Sequence, residues 1–245
     1  MPRIKAVITD FIGTLTNARL YTMEASTMKL HAALCEAGFE TNWQEFLDAY
    51  TKAHEKYRLV RYGDLREVTN AIWVSEALRN LGYDVKAEDS RMKAALNVFF
   101  QDYVDSLEKR PYSENLLRKV KEKCRLGLIS NFTYAPVVYG SLRKLGLSKY
   151  FNVVVVSGEC GWRKPHRKIF DDALNRMQVK ADETIFIGDS PTEDIKGARD
   201  AGMITIFVRS QFYCLADLRA SKENPDAVAE DLKKVYEIFT KIAGR

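Results

Sequence analysis

Short apolar runs punctuate the second half of the chain: Leu126–Ile129, Val153–Val156, Ile185–Ile187, Ile204–Val208 and a weaker one at Ala227–Ala229. Each is continuous rather than alternating. A strand with one wet face shows a polar residue at every second position, so a run without them is covered on both faces. Amphipathic stretches with helical spacing separate the runs. Strand and helix alternating in this way build a parallel, doubly wound sheet. One more run, Lys5–Asp10, stands alone near the N-terminus and precedes a turn-like stretch around Gly13.

Between these two parts, from about Thr16 to Glu108, the periodicity is helical and β-branched runs are few. The spacing predicts helices near Arg19–Ala37, Asn42–Tyr62, Leu65–Leu81 and Glu88–Leu107. Gly38, Gly63 and Gly82 sit where C-caps would stop the first three. The expected architecture is an α/β, Rossmann-like core of residues 1–15 and 109–245, interrupted by an all-helical insert of residues 16–108.

Bulk properties narrow the partners. With 245 residues, 46% hydrophobic and 29% charged, the chain buries a real core without disulfides. The formal charge of +5 is modest and spread out, with no basic stripe or nucleic-acid module, so a small anionic ligand is expected and a nucleic acid is not. Cys35, Cys124, Cys160 and Cys214 lie far apart, without zinc spacing, as separate thiols in a cytoplasmic protein would. The start, Met1-Pro2-Arg3-Ile4-Lys5, has no apolar signal stretch, and no run is long enough to span a bilayer, so no membrane role is expected. Oligomeric state is not legible.

Open parallel sheets bind ligands beyond the carboxyl ends of their strands. The first strand ends at Asp10, the second at Ser130-Asn131, and the fourth at Gly188-Asp189-Ser190; Lys164-Pro165 opens the helix after the third. Carboxylates, a hydroxyl, an amide and an ammonium thus share one sheet edge.

These residues resemble the motifs of the haloacid dehalogenase superfamily. Asp10-Phe11-Ile12-Gly13-Thr14-Leu15 is similar to its first motif, D-x-D-G-T-L. Leu128-Ile129-Ser130-Asn131 is similar to the second, an apolar strand ending in Ser or Thr. Ser157 through Pro165 resembles the third, whose fixed member is the lysine, and Gly188-Asp189-Ser190-Pro191-Thr192-Glu193-Asp194 the fourth, G-D-S-x-x-x-D. The helical insert resembles the cap of that superfamily.

The resemblance implies a magnesium-dependent hydrolase, a phosphatase of small phosphorylated metabolites, in which Asp10 attacks and forms an aspartyl intermediate. It implies Mg²⁺ held by the side chains of Asp10 and Asp189 and the backbone oxygen of Ile12, with Asp194 acting from outside or through a water. Ser130 and the amides about Phe11, Ile12 and Asn131 would bind phosphoryl oxygens, and Lys164 would stabilise the transition state. One departure matters. The superfamily's phosphatases carry an aspartate two residues after the nucleophile, as acid and base, and here that position is Ile12. Its carbonyl still suits a metal, but its side chain moves no proton.

Two further readings compete. One is metal-independent hydrolysis of a 2-haloacid, suggested by Ile12 but penalised by clustered carboxylates that lack a cation between them. The other is a non-catalytic binding or regulatory descendant, disfavoured because nucleophile, lysine and metal carboxylate remain. In the insert, Tyr57, Arg58, Arg61 and Tyr62 form a basic-aromatic cluster. Arg58 or Arg61 is a candidate for the substrate's anionic group; the plainer reading, which we prefer, is a solvated helix face. Trp73 reads as core, and Glu193 as a solvated surface carboxylate.

Overall fold

The computed structural model describes residues 3–19 and 21–244. Met1, Pro2 and Arg245, at the ends of the expected core, and Leu20, in the first expected helix, lie outside them.

The elements in chain order are β1 (Ala6–Thr9), β2 (Thr16–Ala18), α1 (Met23–Glu36), α2 (Trp43–Gly63), α3 (Asn70–Asn80), α4 (Ser90–Ser106) and β3 (Leu107–Lys109). The second half holds α5 (Ser113–Lys121), β4 (Arg125–Ser130), α6 (Ala135–Lys144), β5 (Val153–Val156), α7 (Ser157–Cys160) and α8 (Arg167–Met177). It ends with β6 (Thr184–Gly188), α9 (Lys196–Asp200), β7 (Ile204–Val208), α10 (Leu215–Ser221), β8 (Ala227–Ala229) and α11 (Leu232–Ala243).

Six strands form one parallel sheet in the order β5-β4-β1-β6-β7-β8. Alternation along each strand explains the continuous apolar runs. Val7, Leu126, Leu128, Ile185 and Ile187 point into one hydrophobic cluster, while Ala6, Ile8, Ile129 and Phe186 point into another on the opposite face. The chain leaves β1 to build β4 and β5 on one side, then returns to build β6, β7 and β8 on the other. The strand order therefore reverses about β1, and the crevice at such a switch point is where these sheets bind ligands.

The four insert helices enclose another hydrophobic cluster, including Leu30, Leu34, Phe46, Trp73, Leu96 and Phe99, which extends to Tyr134 and Val137 after β4. Asn42 caps α2 by accepting from the Gln44 and Glu45 amides, and Asp89 caps α4 through the Arg91 and Met92 amides. Three expectations shift. The insert is not helical throughout: β2 and β3 pair antiparallel, Thr16 opposite Lys109, and tie together the two crossings between insert and sheet. The third helix begins at Asn70 rather than Leu65, because residues 64–69 leave the helical path toward the sheet domain, where Arg66 bridges Trp162. Gly63 is the last residue of α2, and Leu65, with φ 55°, takes the left-handed position beyond it. No helix among the described residues is long and apolar enough to cross a membrane.

Candidate active site

β1 and β6 pair in register, Thr9 opposite Ile187, so the residues just past them emerge side by side. The Asp10 amide donates to the Ile187 carbonyl at 2.9 Å and fixes that turn. Asp194 comes from a single π-helical turn, Pro191–Ile195, that folds back over β6. Carboxylate oxygens of Asp10, Asp189 and Asp194 all lie within 4.8 Å of one another. Lys164 enters from across the crevice. Its Nζ lies 2.7 Å from Asp10 Oδ1 and 2.6 Å from Asp194 Oδ1, and donates to the Ile129 carbonyl at 3.2 Å. Two glycines make this density feasible. A Cβ on Gly13, at φ +94°, would run into the Asp189 carboxylate, and one on Gly188 would meet Asp194.

All four charged groups are buried. Burial pushes the Asp10 carboxyl above its ordinary value against the pull of Lys164. Burial, then the charge of Asp194, pushes Asp189 up to about 6. Burial pushes Asp194 up to about 7, again against Lys164. Burial alone would lower the Lys164 ammonium, but Asp10 and Asp194 outweigh it and keep the group charged. Three carboxylates against one ammonium leave two negative charges when all are ionised. Asp10 Oδ2 is buried and accepts no hydrogen bond among the described residues. A buried oxygen in that state is costly unless a cation or a proton meets it.

Supporting contacts hold the cluster. Thr14 Oγ1 donates to Asp189 Oδ1 at 3.0 Å, and Ser210 Oγ to Asp189 Oδ2 at 2.6 Å. Asp194 Oδ2 accepts the Asp189 and Ser190 amides at 3.1 and 3.0 Å. The other face of the nucleophile turn is gripped by Arg110, whose Nη1 donates to the Gly13 and Thr14 carbonyls. Thr14 belongs to the first motif, whereas Ser210 lies two residues past β7, outside all four motifs. Nothing local marks Arg110.

The remaining candidates fall in different places. Ser130 is buried at the cleft, and its hydroxyl makes no hydrogen bond among the described residues. The Phe11 ring is core, while its amide faces the Asp10 carboxylate. Ile12 lines the cleft, and no hydrogen bond among the described residues ends on its carbonyl. The Asn131 side chain is engaged elsewhere: it accepts from the Lys164 amide at 2.7 Å and donates to the Lys164 carbonyl and Glu193 Oε2, each at 3.0 Å. Glu193 is not the solvated surface carboxylate expected. It also accepts from Arg163 Nη2 at 3.0 Å, so an ion pair braces the lysine's anchor.

Two adjoining cavities open at this edge. The cleft over the carboxylates encloses about 230 Å³ and includes Tyr103, Phe212 and Tyr213. A second, of about 310 Å³, rises into the helical insert and shares Tyr103, Asn131 and Phe132 with the first. Arg61 lines the second cavity, and its Nε donates to Glu67 at 2.6 Å. Arg58 lines neither; it is exposed and pairs with Glu55 at 2.9 Å, as a solvated helix face would have it. Trp73 is buried as expected yet also borders the second cavity. Another hollow, about 690 Å³, lies near Arg3, Lys121 and Arg125 at the opposite ends of the strands and contains none of the three aspartates.

Residues 4–202 match the haloacid dehalogenase-like hydrolase family. A glyceraldehyde 3-phosphate phosphatase of Methanopyrus kandleri is 29% identical over 98% of this chain and 99% of its own length. One of Methanocaldococcus jannaschii is 29% identical over 86% of this chain and 87% of its own. In fold, the chain is similar to the crystal structure of a 2-haloacid dehalogenase from Pseudomonas syringae. That likeness has a TM-score of 0.70 at 23% identity and covers 98% of this chain and all of that one.

Proposed function

From the chain's membership of the haloacid dehalogenase-like hydrolase family, we propose that it is a magnesium-dependent phosphatase of small phosphorylated metabolites. Residues 1–15 and 109–245 form its catalytic core and residues 16–108 its cap. The observation that carries this reading is the set of three clustered carboxylates, Asp10, Asp189 and Asp194, facing the single ammonium of Lys164, which leaves two negative charges uncompensated when all are ionised. A divalent cation matches it, and oxygen donors suit a hard one. The orphaned Asp10 Oδ2 fits the same group. Asp10, Asp189 and the Ile12 carbonyl would hold Mg²⁺. The loop that carries Asp189 is fixed by Asp194. When bound, the ion supplies charge neutralisation that lets an anionic nucleophile approach an anionic phosphoryl group.

The chain's own groups do the rest. The Asp10 carboxylate attacks phosphorus, and the bond from phosphorus to the alcohol oxygen breaks with its electron pair on that oxygen. Lys164, kept charged by its neighbours, binds phosphoryl oxygens as negative charge develops. Ser130 adds a hydroxyl donor from the end of β4. Water then hydrolyses the aspartyl phosphate and returns Asp10. The phosphatase names of the relatives from Methanopyrus kandleri and Methanocaldococcus jannaschii support this reading.

The test is phosphate release from p-nitrophenyl phosphate with Mg²⁺ and with chelator. Release that requires the metal is expected. Full activity in chelator would overturn the proposal. Hydrolysis of a 2-haloacid is the second reading, favoured by the nonacidic Ile12; metal-indifferent halide release from chloroacetate would establish it instead.

A further inference from the structure

The cavity inside the cap is unlike the cleft below it. Its walls are rings, among them Tyr50, His54, Trp73, Phe99, Phe100 and Tyr103. At about 310 Å³ it holds the volume of about ten waters, at about 30 Å³ each. A three-carbon leaving group would leave much of that space unfilled. The shared wall of Tyr103, Asn131 and Phe132 makes it continuous with the cleft where phosphate would sit.

A mere packing void would be apolar throughout, and this one is not. Arg61 uses Nε on Glu67, and no hydrogen bond among the described residues uses its two Nη atoms. Asn70 is buried; its oxygen accepts from Thr133, and its amide nitrogen has no partner among the described residues. The indole N–H of Trp73 is buried near the Tyr50 hydroxyl but closes no hydrogen bond of good geometry among the described residues. Donors without partners among the described residues therefore sit around a box of rings.

The charge balance sets the ligand's character. The Glu67 carboxylate, fully covered, sits 2.6 Å from Arg61 and also accepts from Ser157 at 2.6 Å. It cancels the guanidinium charge, so a second anionic group on the substrate gains no net attraction. Burial lowers the His54 imidazole and keeps it neutral.

We propose that the cap cavity is the leaving-group site, and that it takes a planar, uncharged aromatic or heteroaromatic ring with a hydrogen-bond acceptor on its edge. The ring stacks among the aromatic walls, and its acceptor meets the free donors of Arg61 and Asn70. The substrates are then phosphate monoesters of ring-bearing alcohols. This deepens the phosphatase reading and rests on it for the reaction, though not for ring binding.

The experiment compares four esters of primary alcohols: benzyl, 4-carbamoylbenzyl and cyclohexylmethyl phosphate, and glycerol 3-phosphate. Their leaving groups have similar basicity, so the missing acid at Ile12 affects all four alike. We expect kcat/KM for benzyl phosphate to exceed that for cyclohexylmethyl phosphate by about tenfold, with the carbamoyl ester faster still. Trp73→Leu should shrink the benzyl to glycerol ratio, and Arg61→Met should remove the carbamoyl advantage. Binding of 4-(hydroxymethyl)benzamide, measured by calorimetry on wild type and Arg61→Met, needs no turnover. Equal kcat/KM for ring and ring-free esters, with robust hydrolysis of both, would overturn this inference and leave the phosphatase standing. If no ester is hydrolysed but the amide binds wild type and not Arg61→Met, the ring site stands and the phosphatase reading falls. If the amide fails to bind wild type at millimolar concentration, the ring site falls.

Discussion

Asn131 holds Lys164 by its backbone, accepting from the lysine's amide and donating to its carbonyl, 2.7 and 3.0 Å away. The residue at the end of β4 thus sets where the ammonium from the next crossover reaches Asp10. Asn131→Leu keeps the shape but loses both bonds. Partners that orient a site's primary groups are typically worth about 10–100-fold. We expect kcat for p-nitrophenyl phosphate to fall by about that factor, with a smaller change in melting temperature than in rate. A kcat within twofold of wild type would show that Lys164 is positioned without Asn131.

Asp10→Asn tests the nucleophile. The amide has nearly the same volume and removes one of three crowded carboxylates, so the fold should survive. Turnover should fall by more than about 10³-fold, with the circular dichroism spectrum unchanged. Substantial activity in a preparation free of wild type would remove Asp10 from the attacking role.

Burial lifts Asp189 to about 6 and Asp194 to about 7, from an ordinary value of 3.8. A carboxyl with a raised folded-state pKa stabilises the fold fully below its unfolded pKa. That contribution is lost as pH rises through the folded value. From these two groups the metal-free protein loses stability between about pH 4 and pH 7. Magnesium needs the ionised carboxylates, so its binding strengthens over the same range. The gain in melting temperature from Mg²⁺ should be larger at pH 8 than at pH 5. An equal gain at both would count against these carboxylates as its holders.

Gly13→Ala carries a sharper structural penalty than its size suggests. The backbone there has φ +94°, and the added methyl would collide with the Asp189 carboxylate. The unfavourable dihedral alone costs about 1 kcal/mol, and relief of the clash must move Asp189. Magnesium affinity, measured by calorimetry, should weaken more than overall stability does. Unchanged affinity would show that the turn can shift without disturbing the carboxylate.

The strand ends were readable because each places a polar residue after an apolar run, as in Ile187-Gly188-Asp189. That pattern is local. The β2–β3 ribbon was not readable, because Thr16–Ala18 and Leu107–Lys109 are three residues each and carry no alternation. The non-helical path of residues 64–69 is tied to the bridge between Arg66 and Trp162, a partner distant in sequence. The same holds for Asn131, whose amide looks like a phosphate ligand until Lys164 is seen beside it. Arg61 and Arg58 sit three residues apart on one helix, yet only Arg61 turns toward the cavity, pulled by Glu67. Pair contacts across the chain decide these outcomes, and periodicity does not encode them.

Ile12 sits where a proton donor to the leaving group would be expected, and it lines the cleft with an apolar side chain. Aryl phosphates depart as weakly basic anions, whereas alkyl phosphates need protonation in the transition state. General acid catalysis is typically worth about 10²–10⁴-fold. The tyrosines and lysines between Tyr50 and Tyr62 would be the first place to seek a substitute, but they are placed poorly for it. Tyr57 donates to Glu76, Lys56 pairs with the same carboxylate, and Tyr50 lines the cavity within the insert. Tyr103 and Tyr213 line the cleft instead, and burial raises both hydroxyls, which keeps them protonated but makes them weak acids. We therefore expect the rate to fall steeply as leaving-group pKa rises across a series from phenols to alcohols, while intermediate formation limits turnover. Ile12→Asp should flatten that slope if the new carboxyl can turn toward the leaving oxygen. Tyr103→Phe and Tyr213→Phe should leave the slope as it is. A shallow wild-type slope with chemistry shown to be limiting would mean that a proton is supplied. A steepening in only one of the tyrosine variants would then name its donor.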